Sequence, residues 1–171
     1  YFAHRKGYRA GGFNTRATLS SQLGGFQPES VYDFELGTKL DFNFPNGMFL
    51  RTNLAVYRQN YSNIQRLTPF VQPNGGVSTN VINAAKATIT GAEFEGTFIP
   101  FRGLEFTGSA AYTDPKYKSF IYDAGAGQVD VADVASFSGV SKWQVNTAAR
   151  LTPELATDLF KPTLQIDYYY Q

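Results

Sequence analysis

The stretch YDFELGTKLDFNFPNGMFLRTNLAVYRQ, residues 32–59, indicates the fold class of this chain. Apolar and polar side chains alternate along it on both sides of the tripeptide Pro45–Gly47. A period of two residues puts successive side chains on opposite faces of a β-strand. The stretch therefore predicts two strands joined by a tight turn, each with one apolar and one polar face.

The turn also predicts the register of this hairpin. If Pro45–Gly47 forms a three-residue loop, its glycine takes the left-handed position that such loops favour. Phe42 then faces Leu50 on the apolar face, and Asp41 faces Arg51 on the polar face as an opposite-charge pair. A slip of one residue would exchange the two faces, so this agreement favours the pairing.

The same alternation recurs along the chain and predicts about seven strands in all. The further alternating segments are 1–9, 92–98, 104–112, 143–151 and 164–170. The connections are short at 45–47 and 100–103, moderate at 153–162, and long at 10–30, 62–83 and 115–141, where Gly, Ser, Asn, Pro and Thr are frequent. Short turns at one end of the strands and long loops at the other are typical of an outer-membrane β-barrel.

A soluble β-sandwich and a membrane β-barrel both show this alternation, because either one hides the apolar face from water. Three features favour the barrel. The strands are about 10–13 residues long, against roughly 5–6 in soluble proteins. Small residues on the apolar face would leave voids in a packed core, whereas lipid fills in around them. Aromatic residues lie near strand ends, as in the girdles at membrane interfaces; they are Phe42, Phe44, Phe98, Phe101, Trp143 and Phe160.

Composition excludes several classes of function. The net charge of +1, with acids and bases intermixed, gives no basic surface for nucleic acid. The absence of cysteine excludes disulfides and thiolate metal sites. No apolar run approaches the ~18 residues of a transmembrane helix. Because Tyr1 and Gln171 both fall within strand-like segments, we expect the chain to be part of a longer protein.

Five segments, taken in order, resemble the β-barrel of the TonB-dependent receptors. They are GYRAGGFN at 7–14, FQPESVYDFELGTK at 26–39, AVYRQNYSNIQ at 55–65, NAAKATITGAEFEGTFIPFRGLEFTGSAAYTDPKYKSF at 83–120, and SKWQVN at 141–146. Two positions depart from the family pattern, with Phe34 in place of the usual Tyr and Ser141 in place of the usual Pro. Each motif is weak alone, and the resemblance rests on their order and spacing over most of the chain.

The resemblance implies an all-β, antiparallel, up-and-down transmembrane barrel of about 22 strands around an N-terminal plug. Residues 1–171 would be a partial barrel domain, roughly from the C-terminal half of the barrel, without the plug and its TonB box. The implied location is the outer membrane of a Gram-negative bacterium. The implied partners are outer-membrane lipid, a TonB complex that acts through the plug, and a small-molecule ligand such as an iron–siderophore complex, cobalamin or an oligosaccharide.

Candidate ligand-binding residues lie where strands pass into long loops. They are Arg9, Arg16, Tyr61, Arg66 and Phe70. Loops on a rigid scaffold commonly bind ligands, and Arg with aromatic rings suits an anionic or aromatic chelate. The alternative is that these residues are interfacial anchors and charges that face lipopolysaccharide.

No catalytic residue, metal site or cofactor is predicted. Glu93 and Glu95 lie two residues apart on one strand, but charged lumen residues are the rule in barrels. Three aspartates between Asp123 and Asp133 share a Gly-rich loop without the spacing of a calcium site. His4 is the only histidine, which gives no basis for a catalytic triad or a histidine metal site.

Other functions stay open on the residues alone. A passive porin-like barrel would lack the plug. A soluble β-sandwich binding module would fold without detergent, and it would bury Phe34, Leu54, Phe94 and Phe106 against a second layer. An enzymatic barrel is the third and weakest alternative.

Overall fold

The computed structural model describes residues 1–15, 24–71, 75–123, 127–153 and 160–171, apart from the side chains of residues 70, 71 and 123. The regular structure in this part of the chain is β-strand throughout. Its strands are β1 (Phe2–Arg9), β2 (Gly12–Phe13), β3 (Gly25–Phe26), β4 (Glu29–Asn43), β5 (Phe49–Val71), β6 (Val77–Phe101), β7 (Leu104–Asp123), β8 (Gln128–Asp130), β9 (Trp143–Leu151) and β10 (Leu164–Tyr170). Among the described residues, no helix is long and apolar enough to span a membrane.

Seven of these strands form one antiparallel sheet in the order β1-β4-β5-β6-β7-β9-β10. The remaining strands are short, with β8 added to β7 and β2 paired with β3 as a separate small sheet. The seven main strands are the seven that the alternation predicts, so the all-β, antiparallel, up-and-down architecture is confirmed. The sheet is open, with β1 at one edge and β10 at the other.

The hairpin of β4 and β5 has the predicted register. Phe42 pairs with Leu50 on one face, and Asp41 pairs with Arg51 on the other. Gly47 has a φ of +82°, the left-handed conformation expected of the third loop residue. Turn chemistry and apolar pattern therefore specify the same pairing.

The predicted long loops contain more strand than expected. β5 continues to Val71 and β6 begins at Val77, so most of 62–83 is a paired hairpin. β4 already begins at Glu29, and β7 continues to Asp123 with β8 close behind. The prediction of loops was wrong there because Gly, Ser, Asn, Pro and Thr are frequent in these segments and obscure the alternation, whereas main-chain hydrogen bonds form regardless of side-chain type.

The main sheet is a single layer with one apolar face and one polar face. The side chains of Phe34, Leu54, Phe94 and Phe106 stay 41%, 46%, 43% and 41% exposed, because no second sheet or helix in the described part packs on them. A soluble sandwich requires these side chains to be buried. The structure therefore contradicts the sandwich alternative.

The register defines an apolar band on the apolar face. The band extends from the cross-strand row of Leu36 and Tyr112, toward the long loops, to the row of Phe42 and Phe106, toward the short turns. The interval from Leu36 to Phe42 corresponds to roughly 20 Å at ~3.3 Å per residue. A membrane strand tilted by about 45° needs ~9–11 residues to cross the hydrocarbon core, so the seven residues 36–42 supply most of one crossing.

Aromatic side chains lie at both borders of the apolar band. At the long-loop end, the ring centroids of Tyr112 and Trp143 are 4.8 Å apart. At the short-turn end, those of Phe98 and Phe106 are 6.4 Å apart. Aromatic borders at both ends of an apolar band are the pattern of girdles at membrane interfaces.

Candidate functional site

The polar face of the sheet carries ion pairs between neighbouring strands. Arg5 on β1 contacts the carboxylates of both Asp33, at 2.6 Å, and Glu35 on β4. Asp41 on β4 and Arg51 on β5 pair at 2.7 Å. Exposed ion pairs stabilise a fold little, so the main consequence of these pairs is a charged, hydrated surface.

Glu93 and Glu95 lie further along the polar face, on β6. Asn53 donates a hydrogen bond to the Glu95 carboxylate at 3.3 Å. Among the described residues, no cationic group lies within 4.0 Å of either carboxylate. Among the same described residues, no three histidine or acidic side chains lie close enough together to bind a metal ion. Both glutamates are therefore solvent-exposed acidic residues of the polar face.

An aromatic cluster lies at the long-loop end of the sheet and is referred to below as the mouth cluster. It consists of Tyr61, Tyr117, Phe120 and Phe137 packed around Ile64, which is 7% exposed. The rings of Tyr117 and Phe137 are stacked with centroids 4.2 Å apart, and those of Tyr117 and Phe120 are 4.9 Å apart. This is where the described structure buries apolar side chains most completely.

The register places the mouth cluster on the polar face. Tyr61 follows Tyr57 at an even spacing along β5, and it pairs with Ala87, which in turn pairs with Tyr117. Phe137 reaches Tyr117 from the segment between β8 and β9, which therefore folds over this end of the sheet. Burial within the cluster raises the pKa of the Tyr61 hydroxyl above its ordinary value.

Arg66 adjoins the mouth cluster and is held by Tyr117. Its Nη2 atom donates to the Tyr117 hydroxyl at 2.6 Å, and its guanidinium carbon lies 5.9 Å from the centroid of that ring. The Nε atom of Arg66 is buried, and no described residue accepts a hydrogen bond from it. A buried N–H without an acceptor is costly, so Arg66 is held against the cluster at some cost in stability.

Side-chain amides fasten the β2–β3 segment to the β5–β6 hairpin. The Gln27 backbone N donates to Asn83 Oδ1 at 2.6 Å, and Asn83 Nδ2 donates back to the Gln27 carbonyl at 2.8 Å. Asn14 Nδ2 donates to the Val81 carbonyl, and the Val81 N donates to Asn14 Oδ1, both at 2.9 Å. The segment is thus tied to the hairpin by paired, two-way hydrogen bonds at two points.

Arg9 is fixed at the same end by a different set of contacts. Its Nη2 atom donates to Glu29 Oε2 at 2.8 Å and to the Gln65 carbonyl at 3.2 Å. The same Glu29 oxygen accepts the Gln65 N–H at 2.9 Å. Arg9 therefore links β1 to the start of β4 and to β5.

The structure brings together two of the five predicted ligand-binding residues. Tyr61 belongs to the mouth cluster and Arg66 adjoins it, whereas Arg9 lies elsewhere at the same end. Arg16 and the side chain of Phe70 lie outside the described part of the chain. A ligand-binding role for all five stays a prediction.

Sequence reasoning missed Tyr117, Phe120 and Phe137 as partners of Tyr61. They fall within 115–141, for which the sequence predicts a long loop. The aromatic residues of KYKSFIY, 116–122, were the available signal that β7 continues past the apolar band. Phe137 had no local signal, because it joins the cluster by tertiary packing alone.

Asp130 links the end of β8 to β7. Its Oδ1 atom accepts hydrogen bonds from the backbone N of Phe120 at 2.8 Å and of Ala132 at 3.0 Å. These two N–H donors favour the carboxylate, and they lower the pKa of Asp130 below its ordinary value. The charged form of Asp130 thus stabilises the segment that carries Phe137.

We expect acid to loosen this link between β8 and β7 through Asp130. Because its folded pKa is lowered, the stabilisation is complete above the ordinary carboxyl value of ~3.9 and is lost as the pH falls through the lowered value. Hydrogen exchange of the Phe120 amide, corrected for its intrinsic rate, should lose protection over that interval. Asp130→Asn should abolish the pH-dependent step, and Asp133→Asn should retain it. A step that persists in Asp130→Asn would contradict this assignment.

Comparison with known protein families shows which family this chain matches. The family described as TonB dependent receptor-like, beta-barrel, matches residues 1–170. No solved structure matches the chain significantly. The match covers nearly the whole chain, so the resemblance seen in the five sequence segments is confirmed. The family is one of outer-membrane transport receptors.

Proposed function

Because the chain belongs to the TonB-dependent receptor β-barrel family, we propose that it forms part of the wall of an outer-membrane receptor that takes up a scarce ligand. The observation that carries the proposal is the single-layer sheet, with an apolar band on one face and ion pairs on the other. In such a wall the apolar band contacts acyl chains, and the polar face lines an aqueous lumen.

The open sheet supports its place in a larger barrel. β1 and β10 each have one edge without a strand partner among the described residues. Within a bilayer such edges must pair, because unsatisfied main-chain groups are costly in lipid. Residues 1–171 would thus supply about a third of a barrel of about 22 strands, with a plug in its lumen through which a TonB complex acts.

The mouth cluster is the proposed contact surface for the ligand. It presents aromatic rings on the polar face at the long-loop end, beside the guanidinium of Arg66. Aromatic rings with an arginine donor suit a ligand that combines flat rings with anionic oxygens. An iron–siderophore complex has this chemistry, and cobalamin and an oligosaccharide are the other candidates. Uptake that continues without TonB would instead favour a passive porin.

Cysteine labelling tests the two-faced wall, because the sequence contains no cysteine. Glu93 and Phe94 are consecutive on β6 and therefore lie on opposite faces. In the receptor barrel reconstituted into lipid vesicles, Glu93→Cys should react with a charged, water-soluble maleimide. Phe94→Cys should react only with a lipid-soluble reagent.

A second pair on β5 controls for local effects of the substitutions. Ala55→Cys should behave as Glu93→Cys, and Leu54→Cys as Phe94→Cys, since Ala55 pairs with Glu93 and Leu54 with Phe94. Equal labelling of both faces by the charged reagent would rule out a lipid-facing apolar band.

A further inference from the structure

Tyr57 is a large aromatic residue whose side chain lies along the polar face instead of standing up from it. It is on β5, and its cross-strand row continues through Gly91 on β6 to Thr113 on β7. The Tyr57 hydroxyl and Thr113 Oγ1 are within hydrogen-bonding distance at 3.2 Å. Because β5 and β7 are two strand spacings apart, roughly 10 Å, the Tyr57 side chain must cross the whole of β6 to make this contact.

Gly91 provides the space for the flat ring. A Cβ atom at Gly91 would overlap the Cζ atom and the hydroxyl oxygen of Tyr57, and it would lie 2.6 Å from the Tyr112 carbonyl oxygen. A glycine within a strand often marks a place where another group approaches the backbone closely. Here that group is the far end of the Tyr57 side chain, so any larger residue at position 91 would displace the ring from the sheet.

The flat position of Tyr57 is not the one that strand geometry favours. Side chains in strands stand roughly perpendicular to the sheet. The neighbour of Tyr57 on the same face of β5, toward the short turns, is Ala55. Its methyl group leaves room for an upright ring. The space over Gly91 and the contact with Thr113 therefore account for the flat position.

An upright Tyr57 ring would project into the lumen, because the polar face lines the lumen of a barrel. Tyr57 lies four residues before Tyr61 on β5, so this level of the wall is next to the mouth cluster on its short-turn side. In a receptor with a plug in its lumen, an upright ring at this level would occupy space that the plug needs.

We propose that Gly91 is a positioning residue for the plug: it lets Tyr57 lie flat, so that the plug can sit against this part of the barrel wall and close the lumen. This inference rests on the proposed function, because it needs a plug in the lumen. Gly91 acts through Tyr57 and not by touching the plug or the ligand. Removal of the ring should therefore cancel the effect of a larger residue at position 91.

The ion conductance of the intact receptor in planar lipid bilayers tests the inference, with potassium chloride as the probe. A seated plug blocks the lumen, so the conductance measures the fraction of plugs that are not seated. Gly91→Ala should raise the conductance by about tenfold or more, which corresponds to ~1.4 kcal/mol. Gly91→Ala with Tyr57→Ala should lose most of this increase, and any remainder measures the contact with the Tyr112 carbonyl.

Three further variants complete the test. Tyr57→Ala alone should stay closed, because it has no ring to obstruct the plug. Gly108→Ala makes the same change on the apolar face, where the nearest atoms to its Cβ are 3.7 Å away, and it should also stay closed. Thr113→Val leaves Gly91 in place and removes the hydroxyl that holds the ring down. It should raise the conductance about fivefold, which corresponds to ~1 kcal/mol.

Equal conductance in Gly91→Ala and in the double variant would overturn the inference, because the Tyr112 contact would then explain the whole effect. The inference would also be wrong if Tyr57→Ala conducts as much as Gly91→Ala, or if Gly91→Ala and Thr113→Val both stay closed. A wild-type receptor that already conducts as an open pore would contradict the plugged receptor itself, and the inference with it.

Discussion

Replacing Leu54 with arginine is expected to lower the free energy of unfolding of the reconstituted barrel by about 2–4 kcal/mol. Leu54 pairs with Thr38 and Phe94, in a row inside the apolar band. An arginine at this depth must either enter hydrocarbon or distort the bilayer around it. Urea unfolding from lipid vesicles, followed by tyrosine and tryptophan fluorescence, measures the loss.

The matched control for this substitution is Ala55→Arg, one position further along β5. Ala55 is on the polar face, where it pairs with Gly37 and with Glu93. An arginine there is hydrated and lies near a carboxylate, so we expect little change in stability. Equal losses for the two variants would show that both faces meet the same environment, and the membrane assignment would then be wrong.

Gly103→Ala is expected to destabilise the barrel by about 2–4 kcal/mol. Gly103 closes the short turn between β6 and β7 with a φ of +87°. A methyl group on its Cα would fall well inside van der Waals contact with the Thr152 carbonyl oxygen. The same neighbours are joined by a hydrogen bond from Thr152 N to the Gly103 carbonyl at 2.7 Å, so the turn has little room to move away.

Gly47→Ala separates the two contributions to this destabilisation, which are the left-handed backbone and the close contact with Thr152. Gly47 has a similar φ of +82°, but nothing lies within 4 Å of where its Cβ would be. Only the left-handed backbone penalty should remain, about 1–2 kcal/mol. A loss at Gly47 as large as that at Gly103 would contradict the close contact between the β6–β7 turn and the end of β9.

The sequence alone predicted the part of the sheet that carries the apolar band, because two independent signals agree there. The apolar alternation assigns the faces, and the Pro45–Gly47 turn assigns the register, down to the pairing of Asp41 with Arg51. Both signals are local, since they act between residues close along the chain. The resemblance to the receptor family relied on the same strands.

The long-loop end was predicted less well because its order comes from distant residues. Beyond Ile64 the β5–β6 hairpin mixes apolar residues such as Leu67 and Val81 with Gly, Ser, Asn, Pro and Thr, which are typical of loops, so the sequence does not mark its strands clearly. Its ties to Gln27 and Asn14 cross long stretches of chain. Any binding of ligand by Tyr61 and Arg66 depends on the mouth cluster, which Tyr117 and Phe137 complete. The spacing of residues along the chain does not reveal that cluster.

The two-way hydrogen bonds between Asn14 and Val81 have a consequence for the solubility of the protruding hairpin. A strand edge exposed to water has unpaired main-chain N–H and C=O groups. Another polypeptide can pair with these groups as an added strand, which leads to aggregation. At Val81 a single carboxamide already fills both main-chain positions that an intruding strand would need. The Asn14 side chain thus blocks strand addition at this position, and Asn14→Ala would remove that protection.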